Sequence, residues 1–268
     1  RVTRWRSIST MAIDLVNDPD FDRYDLSSLE AIGGGGAAMP DAIAKRLRDM
    51  TGLDYIEGYG LSETMAATHI NPVTAPRRQC LGIPVFDVDS RVISTDDGRE
   101  LGPGEVGEII TRAPQVFLGY WNRPAETAQA FVDIEGQPFF RTGDLGYCDE
   151  AGYFYMVDRV KRMINAAGFK VWPAEVEALM HHNPDIAEVC VIGARDPRRG
   201  ETVKAYVVPT GAARDTVSET AIIEWCRAEM ATYKCPRAVT FVDSLPKSGA
   251  GKVLWRQLAE AERAAAGD

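Results

Sequence analysis

The sequence predicts an α/β fold that passes into α+β, in three segments: residues 1–75, 76–158 and 159–268. Three observations predict it. In the first segment an apolar run, a run of glycines and a helical stripe follow one another, the rhythm of strand–turn–helix units. In the second, short strands are divided by turns such as Asp96-Asp97-Gly98 and Pro103-Gly104, the spacing of a small antiparallel barrel or sheet. In the third, alternating strands are interleaved with helices that carry clear start and stop signals.

Within residues 1–75, Ser7 to Val16 reads as a helix with Ile8, Met11, Ala12 and Leu15 on one stripe. Leu26 to Ile32 reads as a loop entering a strand, and Gly33-Gly34-Gly35-Gly36 follows. Pro40 opens a helix to Met50, with Ile43, Leu47 and Met50 as its apolar face. Strand, glycines and helix together let a backbone approach a ligand closely. The run fails the dinucleotide fingerprint, because Ala38 or Met39 stands where the third glycine belongs and no GK[ST] follows. A tight turn is its default reading. Asp54-Tyr55-Ile56 is a second strand leading into Glu57-Gly58-Tyr59-Gly60-Leu61-Ser62-Glu63-Thr64. There Tyr59 can stack on a base, Ser62 can donate to a phosphate and Glu63 can hold a hard cation such as Mg²⁺. A helix start capped by Ser62 explains the same residues equally well.

Val85 to Ser94 and Glu105 to Arg112 are strands of the second segment, and Asn122-Arg123-Pro124 opens a short helix to Phe131. From Arg141 to Lys170, apolar runs flank a turn, and a hairpin of that length can set Asp144 beside Arg159. A carboxylate accepts two hydrogen bonds from a vicinal diol and a guanidinium adds fixed donors, which suits a ribose; a surface salt bridge is the commoner outcome for such a pair. In the last segment Pro173 to His182 reads as a helix stopped by Asn183-Pro184. Ile186 to Ala194, Val203 to Pro209 and Ala238 to Val242 read as strands. Thr216 with Glu219 reads as a capping box for the helix bearing Ile222, Ile223, Cys226 and Met230. Pro246 to Lys252 is no Walker A motif, since Val253 follows Gly251-Lys252. It offers a lysine on a glycine loop, either a solvated turn residue or one that reaches a site. A closing helix starts at Val253.

The 268 residues are 45% hydrophobic and 26% charged, enough for a substantial core, and the net charge of −9 disfavours nucleic acid or an anionic membrane as partner. Five scattered cysteines and three histidines show no zinc spacing, and a reducing, cytoplasmic setting is expected. No apolar run is long enough to span a bilayer. The start at Arg1, inside a continuing pattern, suggests a fragment or a processed chain.

Five segments in order closely resemble the adenylate-forming acyl-CoA synthetase family, across essentially the whole chain. Tyr59-Gly60-Leu61-Ser62-Glu63 is similar to its YGxTE motif, and Gly107-Glu108-Ile109 through Gly119-Tyr120-Trp121-Asn122-Arg123-Pro124 to its GE…GYxxxP segment. Arg141-Thr142-Gly143-Asp144 matches TGD, Asp158 to Glu177 resembles the hinge and the segment after it, and Pro246 to Lys252 resembles the PKxxxGK loop. The resemblance implies a large α/β nucleotide-binding domain, a small antiparallel β-barrel and a C-terminal α+β lid domain. The TTGxPKG-type phosphate loop is absent from these residues. The expectation is therefore the C-terminal portion only: a remnant of the large domain, the barrel and the lid, inactive alone, with the missing N-terminal portion of the same enzyme as a partner.

By the same resemblance, Gly36, Ala37, Glu57, Gly58, Tyr59 and Gly60 form the adenine side of the site, and Asp144 and Arg159 grip the ribose. Ser62 contacts the α-phosphate and Glu63 holds Mg²⁺. Lys252 stabilises charge as the acyl-adenylate forms, and Lys161 is the hinge on which the lid pivots. The Ala167-Gly168-Phe169 strand then admits pantetheine. Asp158 stands where a glycine is usual, and Asn165 where luciferase-like members carry lysine. The implied function is an ATP- and Mg²⁺-dependent acid–thiol ligase that joins a carboxylic acid, closest to fatty acids, to coenzyme A, with Arg195, Arg198, Arg199 and Lys204 as candidates for the CoA phosphates. Alternatives are an adenylation protein that loads carrier-protein phosphopantetheine, and a non-catalytic adenylate-binding module. Segments near Gly34 to Met39 and Met65 to Thr68 are what the resemblance leaves here of an acyl pocket.

Overall fold

Three five-stranded sheets organise the chain. The structure, a computed structural model, describes residues 1–36, 38–197, 200–214, 216–248 and 253–265. They divide into two compact units, Arg1–Met156 and Val157–Asp268.

The first sheet runs β1 (Arg4–Ile8), β2 (Ala31–Gly35), β3 (Tyr55–Gly60), β4 (Ala67–Ile70) and β5 (Ile83–Pro84) in spatial order. β1, β2 and β3 are parallel, linked through α1 (Ser9–Asn17) and α2 (Asp41–Thr51). Both helices contribute to one core, in which Ala12, Val16, Leu47, Ile32 and Tyr55 are buried. Burying five such side chains is worth on the order of 5–10 kcal/mol. The expectation of a remnant is corrected in that residues 4–84 form a five-stranded sheet with a core of its own. Two local expectations shift as well. Ser7 and Ile8 end a strand that the helical reading absorbed, because alternation in Arg4-Trp5-Arg6-Ser7-Ile8 buries only the Trp5 side against the helices. Pro40 caps α2 from outside, with extended backbone, and Gly52 ends it in the left-handed region at φ 72°.

Glycine decides how closely these strands pair. A Cβ on Gly34 would stand 1.6 Å from the Ser7 carbonyl oxygen and 2.5 Å from the Tyr55 hydroxyl; one on Gly35 would stand 2.2 Å from the Gly58 carbonyl oxygen. Both clashes are with groups the sheet cannot move. Tyr55 Oη donates to that same Ser7 carbonyl at 2.9 Å.

The second sheet is antiparallel: β6 (Asp89–Ile93), β7 (Gly107–Arg112), β9 (Gln137–Cys148) and β10 (Phe154–Arg159) in order, with β8 (Phe131–Ile134) against β9. Short helix α3 (Pro124–Gln129) begins at the proline expected to open it. Leu81 N donates to Phe154 O at 2.9 Å and Phe154 N to Gly82 O at 2.9 Å, so the two sheets of this unit are stitched together.

In the second unit β11 (Ile164–Ala166), β12 (Phe169–Val171), β13 (Ile186–Asp196), β14 (Gly200–Pro209) and β15 (Ala238–Phe241) form a sheet with α4 (Pro173–Met180), α5 (Glu219–Glu229) and α6 (Trp255–Ala265). Val176, Met180, Val191, Val207 and Ile222 fill its core. The capping box is corrected. Ser218 caps α5, its hydroxyl accepting from Ala221 N at 3.2 Å, while Glu219 accepts from Val239 N at 2.8 Å and so ties the helix to β15. The expected Ala167-Gly168-Phe169 strand is also corrected. Ala167 and Gly168, at φ 57° and 90°, are the two-residue turn between β11 and β12. No helix among the described residues is long and apolar enough to cross a membrane.

Replacing Gly34 with alanine is expected to lower the unfolding free energy by about 3 kcal/mol or more, because the clash is with backbone. Chemical denaturation monitored by tryptophan fluorescence checks it. Loss below about 1 kcal/mol would show that the strands separate cheaply.

Candidate active site

In the first unit, the ends of β2 and β3 bound a cleft of about 400 Å³ lined by Gly36, Gly58, Tyr59 and Gly60, together with Arg6, Met65 and Ile70. β3 leads Tyr59 to the rim, and its hydroxyl donates to Asp144 Oδ2 on β9 at 2.7 Å. Asp144 is buried, and Thr142 Oγ1 accepts from its backbone N–H at 3.1 Å. One hydrogen bond therefore couples an aromatic face on the first sheet to a carboxylate on the second.

Glu57 and Glu63 divide two tasks. Glu57, 8% exposed, points away from the cleft; its carboxylate accepts from Met39 N at 3.3 Å and Gln79 N at 3.0 Å. Burial pushes that carboxyl above the usual range, and the two N–H donors pull it back. The side chain thereby holds the chain beyond the glycine run and the segment before β5 to β3. Glu63 lies in a single 3₁₀ turn, Ser62–Thr64, which Thr64 closes by accepting from Leu61 N at 3.0 Å. Tyr120 Oη donates to Glu63 Oε1 at 2.9 Å, and Phe117 N to Glu63 O at 2.7 Å. The Gly119-Tyr120-Trp121 segment thus orients the acidic residue, a contact that the separation in sequence conceals. Ser62 is exposed at the start of this turn.

Magnesium takes few protein carboxylates and keeps water and phosphate oxygens. A half-buried carboxylate with one oxygen held by a tyrosine fits that donor set, and no cluster of three metal-ligating side chains occurs among the described residues.

Behind Tyr59 lies His69, fully buried, 5.6 Å from the Tyr59 ring and 4.7 Å from that of Phe154. Its Nδ1 is 3.0 Å from Thr68 Oγ1, and Nε2 has no hydrogen-bond partner. Burial drives its pKa down to about 4. The imidazole is a neutral wedge.

The remaining expected residues belong to the second unit or lie outside the described residues. Arg159 ends β10, and Lys161 is exposed on the next turn. Gly168 N donates to Asn165 Oδ1 at 2.9 Å, and Phe169 stacks on Tyr233 at 4.9 Å. Asp158, at the position where glycine is usual, accepts from Arg159 N and Ala174 N, each at 2.7 Å, and so caps α4. Lys204 is ion-paired with Glu262 at 2.6 Å. Ala37, Arg198, Arg199 and Lys252 lie outside the described residues.

Two predictions test this arrangement. Glu57→Gln presents an amide N–H to one of two backbone donors and is expected to destabilise by about 1–3 kcal/mol in equilibrium denaturation; an unchanged midpoint would deny the strut. For His69, a folded pKa of about 4 against an ordinary 6.5 means that the unfolded chain takes the proton first. The stability is complete above pH 6.5 and is lost as pH falls toward 4. Between pH 7 and 4.5 the protein should lose roughly 2 kcal/mol more than His69→Leu. Parallel losses would show that His69 does not govern the acid response.

Comparison with known proteins adds the lineage. A family model for the AMP-binding enzyme matches residues 1–121, and one for the AMP-binding enzyme C-terminal domain matches residues 175–252. A long-chain-fatty-acid–CoA ligase of Bacillus subtilis is 42% identical over 255 residues, 94% of this chain and 44% of that protein. ATP-bound MatB from Rhodopseudomonas palustris superposes with a TM-score of 0.85 at 31% identity, covering 97% of this chain and 51% of that one. An o-succinylbenzoate CoA synthetase from Bacillus subtilis, in complex with its acyl-adenylate intermediate, superposes at 0.78 and 29% identity, over 96% of this chain and 51% of that one. The expectation of a C-terminal portion only is corrected to this extent: the AMP-binding model itself matches from residue 1, so the chain carries a match to that domain as well as to the C-terminal one. The chain spans about half the length of these relatives. On these matches, residues 1–121 are similar to the AMP-binding enzyme and residues 175–252 to its C-terminal domain.

Proposed function

We propose that the protein is an ATP-dependent acid–thiol ligase. It condenses a carboxylic acid with ATP to an acyl-adenylate and pyrophosphate, then passes the acyl group to the thiol of coenzyme A with release of AMP. The observation that carries the reading is the Tyr59–Asp144 hydrogen bond, which puts a stacking surface for a base and a diol-accepting carboxylate at one rim. The glycine edges of β2 and β3 leave room for a ligand to lie against backbone. Similarity to a relative named for ATP and to another named for its acyl-adenylate supports the nucleotide. Similarity to the long-chain-fatty-acid–CoA ligase supports an acid of fatty type and CoA as acceptor.

The assigned roles are those the family resemblance implies. Gly36, Ala37, Gly58, Tyr59 and Gly60 face the adenine, with Glu57 bracing them, and Asp144 and Arg159 take the ribose. Ser62 donates to the α-phosphate. Glu63, oriented by Tyr120, would hold Mg²⁺, which when bound neutralises phosphate charge. Lys252 stabilises the negative charge that develops on the reacting carboxylate and α-phosphate. Lys161 is the hinge of the lid (residues 159–268), with 1–75 and 76–158 as the other two domains, and Gly168 and Phe169 face the incoming thiol.

Acid-dependent ATP–pyrophosphate exchange by the full-length protein tests the reading. Exchange stimulated by one class of acid and lowered about 100-fold or more by Lys252→Ala is expected. Exchange that survives the substitution would remove Lys252 from the chemistry, and no exchange with fatty, aryl or amino acids would remove the ligase reading.

A further inference from the structure

The face of the first sheet opposite α1 and α2 carries Arg6 on β1, Gly33 on β2 and Ile56 on β3 in register. Trp5, Ile32 and Tyr55 face the helices. Alternation along the strands therefore puts Arg4, Arg6 and Ile8 on the open face, with Gly33, Gly35 and Gly58 as its floor. The Arg6 guanidinium reaches across that floor: a Cβ on Gly33 would stand 2.8 Å from its Nη1. There Arg6 lines the 400 Å³ cleft whose other walls include Met65 and Ile70, both exposed apolar side chains.

Arg6, exposed on the open face, is with Arg4 and Arg112 one of three arginines of this unit that have no ion pair among the described residues. Arg1, Arg23, Arg46, Arg48, Arg77, Arg78, Arg91, Arg99, Arg123 and Arg141 of the same unit are each ion-paired with an Asp or Glu. Arg6 has no carboxylate partner among the described residues, although it borders a cavity in which a planar five-donor fork is well suited to meet a carboxylate. An apolar chain end gains nothing from such a group, and seating one against it strips the guanidinium of water without return.

We infer that Arg6 is a specificity-determining residue, and that the acid taken by the cleft carries a second anionic group, at the end of its chain remote from the carboxylate that is activated. The inference rests on the ligase reading, with the adenine at the Gly36 and Tyr59 part of the cleft and the acid along the part walled by Arg6, Met65 and Ile70. The walls formed by Ile56, Met65 and Ile70 contact the hydrocarbon between the two charged ends, and Arg6 takes the far end by a bidentate pair. The substrate class is thus a dicarboxylic acid of fatty type.

The test uses matched pairs, hexanoate with adipate and decanoate with sebacate, on the full-length protein, its Arg6→Met and its Arg6→Lys variants. Titration calorimetry reads binding of each acid and of ATP separately, and pyrophosphate exchange reads turnover. The expected result is that Arg6→Met weakens binding of at least one dicarboxylate about ten- to hundred-fold, with Arg6→Lys between, while binding of the matched monocarboxylate changes less than about two-fold. Equal effects on both members of each pair, or no effect on either, would overturn the inference. So would weaker ATP binding with unchanged dicarboxylate binding, which would make the anion a phosphate. Arg6-dependent dicarboxylate binding without exchange by any acid would leave the inference standing and overturn the ligase reading.

Discussion

The absence of side chains at Gly33, Gly34 and Gly35 is the constraint on which the first unit turns. β2 lies between two parallel strands, and a Cβ at any of these positions would penetrate a neighbour's backbone. Closer strands put the Tyr55 hydroxyl within reach of the Ser7 carbonyl and leave the opposite face without relief. A flat backbone surface and a cleft at the strand ends are two consequences of one steric fact. Glycine weakens a strand interior by the entropy lost on folding, and here the cost is offset by the core that α1 and α2 make on the other face.

That surface would be of little use if its edges moved. Four hydrogen bonds made by three side chains hold them, and each ties segments distant in sequence. Glu57 draws in the chain at Met39 and at Gln79; Tyr59 reaches Asp144 on the second sheet; Tyr120 reaches Glu63. A buried carboxylate that accepts two amide N–H groups is far more directional than the apolar packing around it. His69 complements them from behind. As a neutral, buried ring between Tyr59 and Phe154 it offers shape, and its titration exposes the cleft wall to acid.

How much of this was legible in the sequence depends on where the partner of each group lies. α4 could be read because Pro173 and Asn183-Pro184 mark its ends, and α2 because Ile43, Leu47 and Met50 repeat at helical spacing. β1 could not, because its outward residues are arginines and its short alternation merges with the helix stripe after it. Glu219 stood three residues after Thr216 and satisfied the spacing of a capping box, yet Ser218 sits at the helix start and Val239 offers Glu219 a better donor. In the site, the aromatic and acidic residue types pointed to base, diol and cation. The strut made by Glu57 and the contact between Tyr120 and Glu63 left no such trace, since their partners are backbone amides or a residue 57 positions away.

The second unit shows the same logic at one residue. Where a glycine is usual, Asp158 accepts from Arg159 N and from Ala174 N, and it lies 3.7 Å from the Arg162 guanidinium. Arg162 is itself held by Glu177 on α4 and by the Val191 carbonyl at 3.3 Å. A carboxylate at a helix N-terminus is favoured by the helix dipole, and beside a buried guanidinium it balances charge that would otherwise be costly to bury. The end of β10, the turn beyond it and the start of α4 are thus tied together by polar contacts. If the chain pivots at Lys161 as proposed, the torsion change falls beside this hydrogen-bonded anchor, at a side chain that is itself exposed.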